Sequence, residues 1–369
     1  MRNKARKIYR TIHLIGGLWL GLILSVICLT GALIVYKPYL EKQGIRHMAF
    51  VKPTNPDAIP LPLDSLYQNA KAQYPSYKFD NLVLYGTRNE AYSFRAKKPK
   101  VKGRRQLYVN QYTGVVHGED IYKHKFFQHV YNCHTKLFMG KTGVIVVASL
   151  GIILLITIIT GLILIPKGFK NSLKKKRTVK SSFFSYYKSH IIIGMLVALP
   201  LGVIALTGGY WGFPNTYRKI FETMSDGRAI AVRPTIENLN DGPYASLDVI
   251  VEAAENYFPE GKPMIVFFPK RINDPFSVRM KTKHDFSRTG SNHVYIHPQS
   301  GAVVGSNLWK NKPTAEKLTR SMYFIHFGEF WGHFSRILWI LVGISVPILY
   351  FTGFYLWWFK YSKRNKHKN

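Results

Sequence analysis

Acidic side chains are scarce: 19 Asp and Glu stand against 52 Lys and Arg in 369 residues, a formal net charge of +33. Charge of either sign is missing from four stretches, residues 11–36, 142–166, 189–217 and 337–359, the shortest of them 23 residues long. A helix crosses a hydrocarbon layer of roughly 30 Å in about 20 residues, so each stretch is long enough to span. That excludes a simple soluble enzyme and gives the basic excess an origin other than nucleic-acid binding. Cysteine is nearly absent as well: Cys28 lies inside the first stretch and Cys133 just before the second, at different depths, which argues against a disulfide between them. The chain also lacks the Gly-x-Gly-x-x-Gly, Gly-x-x-x-x-Gly-Lys-Ser/Thr and His-Glu-x-x-His fingerprints. Dinucleotide, P-loop and zinc-hydrolase chemistry drop out with them.

The missing acids are distributed as a membrane protein distributes them. Residues 1–10, 167–188 and 360–369 hold five, eight and five basic residues and no acid, while all 19 acids fall in the two long loops, 37–141 and 218–336. By the positive-inside rule the three basic segments face the cytoplasm, so both termini lie inside and both long loops outside. The first apolar run exceeds a signal-peptide core and no Ala-x-Ala-like site closes it before Lys37, so it reads as a retained helix. The expected order is tail and first span 1–36, outer segment 37–141, span 142–166, basic loop 167–188, span 189–213, outer segment 214–336, span 337–359 and basic tail 360–369.

Self-similarity divides the chain near residue 177. His13 and Gly17 match His190 and Gly194, and a Thr-Gly pair follows each histidine by 17 residues, Thr30-Gly31 and Thr207-Gly208. In the other two spans His134 precedes Gly151 by 17 and Thr160 by 26, as His326 precedes Gly343 and Thr352. Each half is therefore read as helix, outer domain, helix, a parallel repeat. The outer segments repeat too. Helical periodicity over 64–74 and 246–258 ends at Pro75 and Pro259, extended runs follow at 81–84, 91–95, 264–268 and 276–281, and residues 107–118 align with 294–305 as strand, glycine turn, strand. Each predicts a small α+β unit with an antiparallel sheet.

The strand and turn Tyr108-Val-Asn-Gln-Tyr-Thr-Gly-Val-Val-His-Gly118 resembles the terminal hairpin of PepSY domains. The spans resemble those of the PepSY-associated transmembrane family through His13, Gly17, Thr30-Gly31, His134, Leu137-Phe138, Thr160-Gly161, His190, Gly194, Thr207-Gly208, His326, Gly328, Trp339, Gly343 and Thr352-Gly353. The resemblance covers nearly the whole chain. It implies a membrane α-helical fold, a four-helix transmembrane bundle with two periplasmic PepSY-like α+β domains, in the bacterial inner membrane. Members include reductases that carry b-type haems and reduce ferric siderophores in the periplasm; others are described only as iron-regulated membrane proteins.

Against that background the histidines are candidate haem ligands. His13 and His190 begin spans running outward and lie at the cytoplasmic level, whereas His134 and His326 precede spans running inward and lie at the outer level. Bis-imidazole ligation needs two histidines from facing helices at one depth, which pairs His13 with His190 and His134 with His326 around two haem b irons. With no Cys-x-x-Cys-His motif, covalent c-type attachment is excluded. Gly17 and Gly194, four residues past their histidines, leave room either for a flat macrocycle or for close helix packing. The Thr-Gly pairs read better as packing. His129 and His333 are alternative ligands, and Arg10, Lys141 and Arg336 read first as snorkelling anchors. The expected function is a di-haem carrier passing electrons from quinol or a cytoplasmic reductase to a ferric siderophore or other ferric chelate. The competing reading is a non-catalytic binding or regulatory protein that assists iron uptake. A permease is the weakest of the three, because no charge interrupts a span.

Overall fold

The computed structural model describes residues 2–366 except 54, 85–86, 102, 122–124, 168, 170–181, 226, 228–231, 238 and 241. In chain order α1 is Arg2–Leu14, α2 Gly21–Val35, α3 Lys37–Gly44, α4 Arg46–Ala49 and α5 Leu63–Gln73; strands β1 to β4 are Lys78–Val83, Tyr92–Lys97, Arg105–Val109 and Val116–Ile121. Helices α6 Lys125–Lys136, α7 Gly140–Leu164, α8 Ser182–Gly209, α9 Pro214–Thr223 and α10 Leu247–Tyr257 follow. Strands β5 to β8 are Lys262–Phe267, Phe276–Lys281, Asn292–Ile296 and Val303–Asn307, before α11 Thr314–His326 and α12 Gly332–Lys366. The chain forms a helical unit, Met1–Lys37, Lys125–Thr223 and Leu318–Asn369, and a sheet unit, Pro38–His124 and Met224–Lys317.

In the helical unit, three helices are long and apolar enough to cross a membrane, Gly140–Leu164, Phe183–Gly209 and Gly332–Lys363, and a fourth crosses if α1 and α2 count as one span. Their outward faces carry large apolar residues such as Leu196, Leu199 and Leu341, each at least 60% exposed, as suits helices solvated by lipid. Leu24, Leu154, Leu201 and Val342 pack between them. The first span is not the unbroken helix that residues 11–36 suggest. It bends by 58° at a π-helical turn, Ile15–Trp19, where the ideal Cβ of Gly16 would fall 2.1 Å from Thr157 Oγ1. A widened turn in which another helix's side chain fills the glycine gap is an established cause of a kink.

The remaining boundaries shift as well. His134 and His326 do not open their spans but end separate helices, α6 and α11. Leu137 and Phe138 take left-handed φ of 46° and 61° after α6, and Gly328 and Gly332 take 64° and 59° after α11, which stops each helix before the next begins. With α6, α9 and most of α11 in the helical unit, the sheet unit is shorter than the outer segments 37–141 and 214–336. Helix α12 continues into the basic tail as far as Lys366, and most of the basic loop 167–188 lies outside the described residues.

The expectation of two outer domains with separate sheets is corrected. All eight strands form one sheet in the order β4-β3-β2-β1-β5-β6-β7-β8. Within each half the strands follow one another antiparallel, with register shifts at matching places, Phe79/Asn81 and Pro263/Ile265, Tyr108/Val109 and Tyr295/Ile296. Gly114 and Gly301, at φ of 72° and 70°, turn the two terminal hairpins. The halves join where β1 pairs antiparallel with β5 through Asn81↔Phe267, Leu82↔Val266 and Val83↔Ile265. A separate sheet would leave β1 and β5 as bare edges with unpaired amides; pairing them satisfies both. Helices α5 and α10 share one core with the sheet, centred on Leu66, Phe94, Leu107, Ile250, Val266 and Met280. Their N-termini cap each other: Asp248 accepts the amides of Leu63 and Asp64 at 2.7 and 3.0 Å, and Asp64 accepts that of Leu247 at 3.4 Å.

Candidate functional site

The helical unit brings the four histidines together in two pairs. The rings of His13, at the end of α1, and His190, in α8, have centroids 6.3 Å apart and planes crossing at 85°. Those of His134 and His326, near the ends of α6 and α11, are 6.2 Å apart at 40°. Along α8, His190 and the Gly208 that meets His326 are 18 residues apart, about 27 Å of helix, so the pairs occupy opposite ends of the bundle.

Each ring is held by a Thr-Gly pair from the other span of its own half. His13 Nδ1 lies 2.9 Å from the Thr157 carbonyl and His134 Nδ1 2.8 Å from that of Ile27. His190 Nδ1 lies 2.9 Å from Thr352 Oγ1 and His326 Nδ1 3.1 Å from Thr207 Oγ1. The carbonyls engaged by His13 and His134 belong to the residue three before Thr160 and Thr30, and each of those threonines donates to the same oxygen. The glycine after each threonine makes room for the imidazole. A Cβ built on Gly161, Gly31, Gly353 or Gly208 would lie 2.9, 2.8, 3.2 or 3.0 Å from Cε1 of His13, His134, His190 or His326 respectively. The pairs pack as expected, each threonine bonding back to its own helix, and what they pack against are the four imidazoles. The one-dimensional signal was present, since His13 and Thr160-Gly161 fall at one depth, but no spacing showed which helices touch.

With Nδ1 committed as a donor to a carbonyl or hydroxyl, the neutral ring carries its lone pair on Nε2, the arrangement of metal-ligating histidine. Two imidazoles on one metal at bond lengths of about 2 Å place their ring centres about 6 Å apart, the spacing of both pairs. A cavity of about 250 Å³ surrounds the second pair, bounded by His134, His326, Cys28, Trp211, Trp339 and Lys136; no carboxylate is among its lining residues. A Cβ on Gly17 would meet nothing within 4 Å, and one on Gly194 only Leu349 at 3.9 Å, so neither glycine is in close helix packing. The donor set at each pair, two neutral imidazoles held through Nδ1, is of the kind that bis-imidazole haem ligation uses.

The other candidates lie elsewhere. His129 packs beside Phe138, with centroids 6.4 Å apart, and His333 contacts Tyr36 Oη at 3.0 Å and stacks on its ring. Arg336 is buried and Cys28 and Cys133 are unbridged. Among the described residues there is no cluster of three or more His, Cys, Asp or Glu to hold a bare metal ion. Trp211, which sequence reasoning did not single out, packs on the His326 ring at 5.1 Å. The family model of the PepSY-associated TM region matches residues 10–360, a range that takes in both pairs and all four Thr-Gly elements. No curated protein matches the chain.

Proposed function

This multi-pass membrane protein belongs to the PepSY-associated transmembrane family, and on that premise we propose that it is a di-haem b-type electron carrier. It takes electrons from quinol or a cytoplasmic reductase and reduces a ferric siderophore or other ferric chelate in the periplasm. The observation that carries the reading is the twofold recurrence of one arrangement: two imidazoles at about 6 Å, each oriented through Nδ1 by a Thr-Gly element.

His13 and His190 would hold one haem and His134 and His326 the other, and when bound the haems supply one-electron redox chemistry at each end of the bundle. The chain's own groups do the rest. The Thr157 and Ile27 carbonyls and the Thr352 and Thr207 hydroxyls hold the proton on Nδ1. Apolar residues between the pairs, Leu154, Leu201 and Val346 among them, exclude water. We read the bent pair α1–α2 as a fourth span, the matching registers of the two half-sheets as the mark of a duplicated chain, and the acid-free segments as cytoplasmic. On this reading the protein lies in the bacterial inner membrane, with its two long loops in the periplasm and the His134/His326 pair at the outer level. Net charges of +11 on residues 37–141 (18 basic, 7 acidic) and +4 on 218–336 (16 basic, 12 acidic) favour an anionic chelate.

The test is an absorption spectrum of the purified full-length protein, oxidised and then reduced. A reducible b-type spectrum with two haems per chain is expected. A colourless protein from haem-replete cells would overturn the carrier in favour of a non-catalytic binding protein.

A further inference from the structure

One difference between the two halves lies directly against a histidine pair. The offset of 177 positions that carries His13 onto His190 carries Ile34 onto Trp211. Ile34 is 8% exposed inside α2, whereas Trp211 is 40% exposed in a turn that closes α8. That turn is fixed. A Cβ on Gly212 would fall 2.2 Å from Ala148 Cβ, so the backbone is wedged against α7, and Tyr217 Oη donates to the Leu206 carbonyl at 2.6 Å to fasten α9 beneath it. Tyr210 packs edge-on to the indole at 5.5 Å. The indole therefore has one side on the His326 ring and another in solvent or lipid, and it lines the same cavity as Lys136, which holds no acid.

We propose that Trp211 is the docking platform for the oxidant: an anionic ferric complex with aromatic donor groups stacks on the exposed part of the indole and takes its electron there. The inference rests on the electron-carrier reading. The haem that His134 and His326 would hold would supply one electron, and one ferric ion would become ferrous; no bond would form or break on the indole, which would be neither oxidised nor reduced. An indole and a lysine on the wall of one acid-free cavity suit such a ligand by stacking and charge together. It also brings the chelate into contact with a side chain that packs on a proposed iron ligand, His326, at 5.1 Å. A tryptophan at a membrane interface is otherwise an anchoring residue, and the test separates the two roles.

Full-length wild type, Trp211→Ile (the residue of the other half) and Trp211→Phe are compared for binding of gallium(III) tris-catecholate, a redox-silent probe, by titration calorimetry, and for reoxidation of the reduced protein by the ferric complex. Gallium binding is compared per protein chain and reoxidation per bound haem, so that a change in haem content alone produces neither difference. Gallium-complex affinity and reoxidation rate should each fall tenfold or more in Trp211→Ile and be largely restored in Trp211→Phe. Unchanged affinity and rate in Trp211→Ile would overturn the proposal and leave Trp211 an interfacial anchor. A wild-type protein without haem would defeat the carrier reading alone, because gallium binding would still decide the role of the indole.

Discussion

In the sheet unit the two halves of the chain meet backbone to backbone, β1 against β5; in the helical unit they meet through side chains, with His13 facing His190 and His134 facing His326. The first joint is complete in itself, since amides and carbonyls of two edge strands satisfy one another and the shared core closes over them. The second brings two pairs of imidazoles together with ring centroids 6.3 and 6.2 Å apart, each ring held through its Nδ1. Each histidine is fixed by its own half and each pair is shared by both, so a group bound at either pair would tie the halves together. One joint serves structure, and the other is where we propose that chemistry enters.

The largest effect is expected at the side-chain joint. His134→Ala and His326→Ala should each remove the same haem, and His13→Ala and His190→Ala the other, so that haem assayed as the pyridine complex falls by half in every single variant. His13→Ala should still pass electrons from a chemically reduced protein to ferric chelate but lose turnover driven by quinol. Full haem content in any one variant would strike that residue from the ligands.

At the backbone joint, Val266→Pro should destabilise the sheet by about 3 kcal/mol or more, because proline removes a ladder amide in a central strand. The measure is the midpoint of denaturant unfolding. A change under 1 kcal/mol, an order-of-magnitude threshold set by ordinary surface substitutions, would mean that β1–β5 pairing does not hold the halves together.

The reciprocal caps give a smaller and graded contrast. Asp248 accepts two amides at short range and Asp64 one at 3.4 Å, so Asp248→Ala should cost about 1–2 kcal/mol and Asp64→Ala about half as much. Equal costs would show that the caps act through helix charge rather than through these bonds.

The smallest effect is alkaline. Burial, then the hydrogen bond that Tyr77 Oη donates to Glu119 at 2.5 Å, push the Tyr77 phenol up to about 12. A group whose pKa is raised on folding contributes stability that is complete below the unfolded value of about 10 and lost as pH rises through the folded one. Wild type should therefore lose stability between pH 10 and about 12 more steeply than Tyr77→Phe. Parallel pH profiles would contradict the assignment.

What the sequence determined by itself follows from local chemistry and period. Charge-free runs report the solvent each helix tolerates, alternation and glycine turns report strands, and the recurrence of His13 and His134 as His190 and His326 reports matched depths. The strands and α5 and α10 accordingly fall within a few residues of their sequence positions. Tertiary structure decided the rest because it depends on which surfaces meet. Joining two half-sheets at β1 and β5 costs no special residue and leaves no motif. The bend at Gly16 exists because Thr157 of another helix fills the gap. The left-handed Leu137 and Phe138 set α6 apart from α7, and only the folded bundle shows that Gly31, Gly161, Gly208 and Gly353 each receive an imidazole. A threonine followed by glycine is ambiguous in one dimension; a histidine 3 Å from where its Cβ would be makes it part of the site.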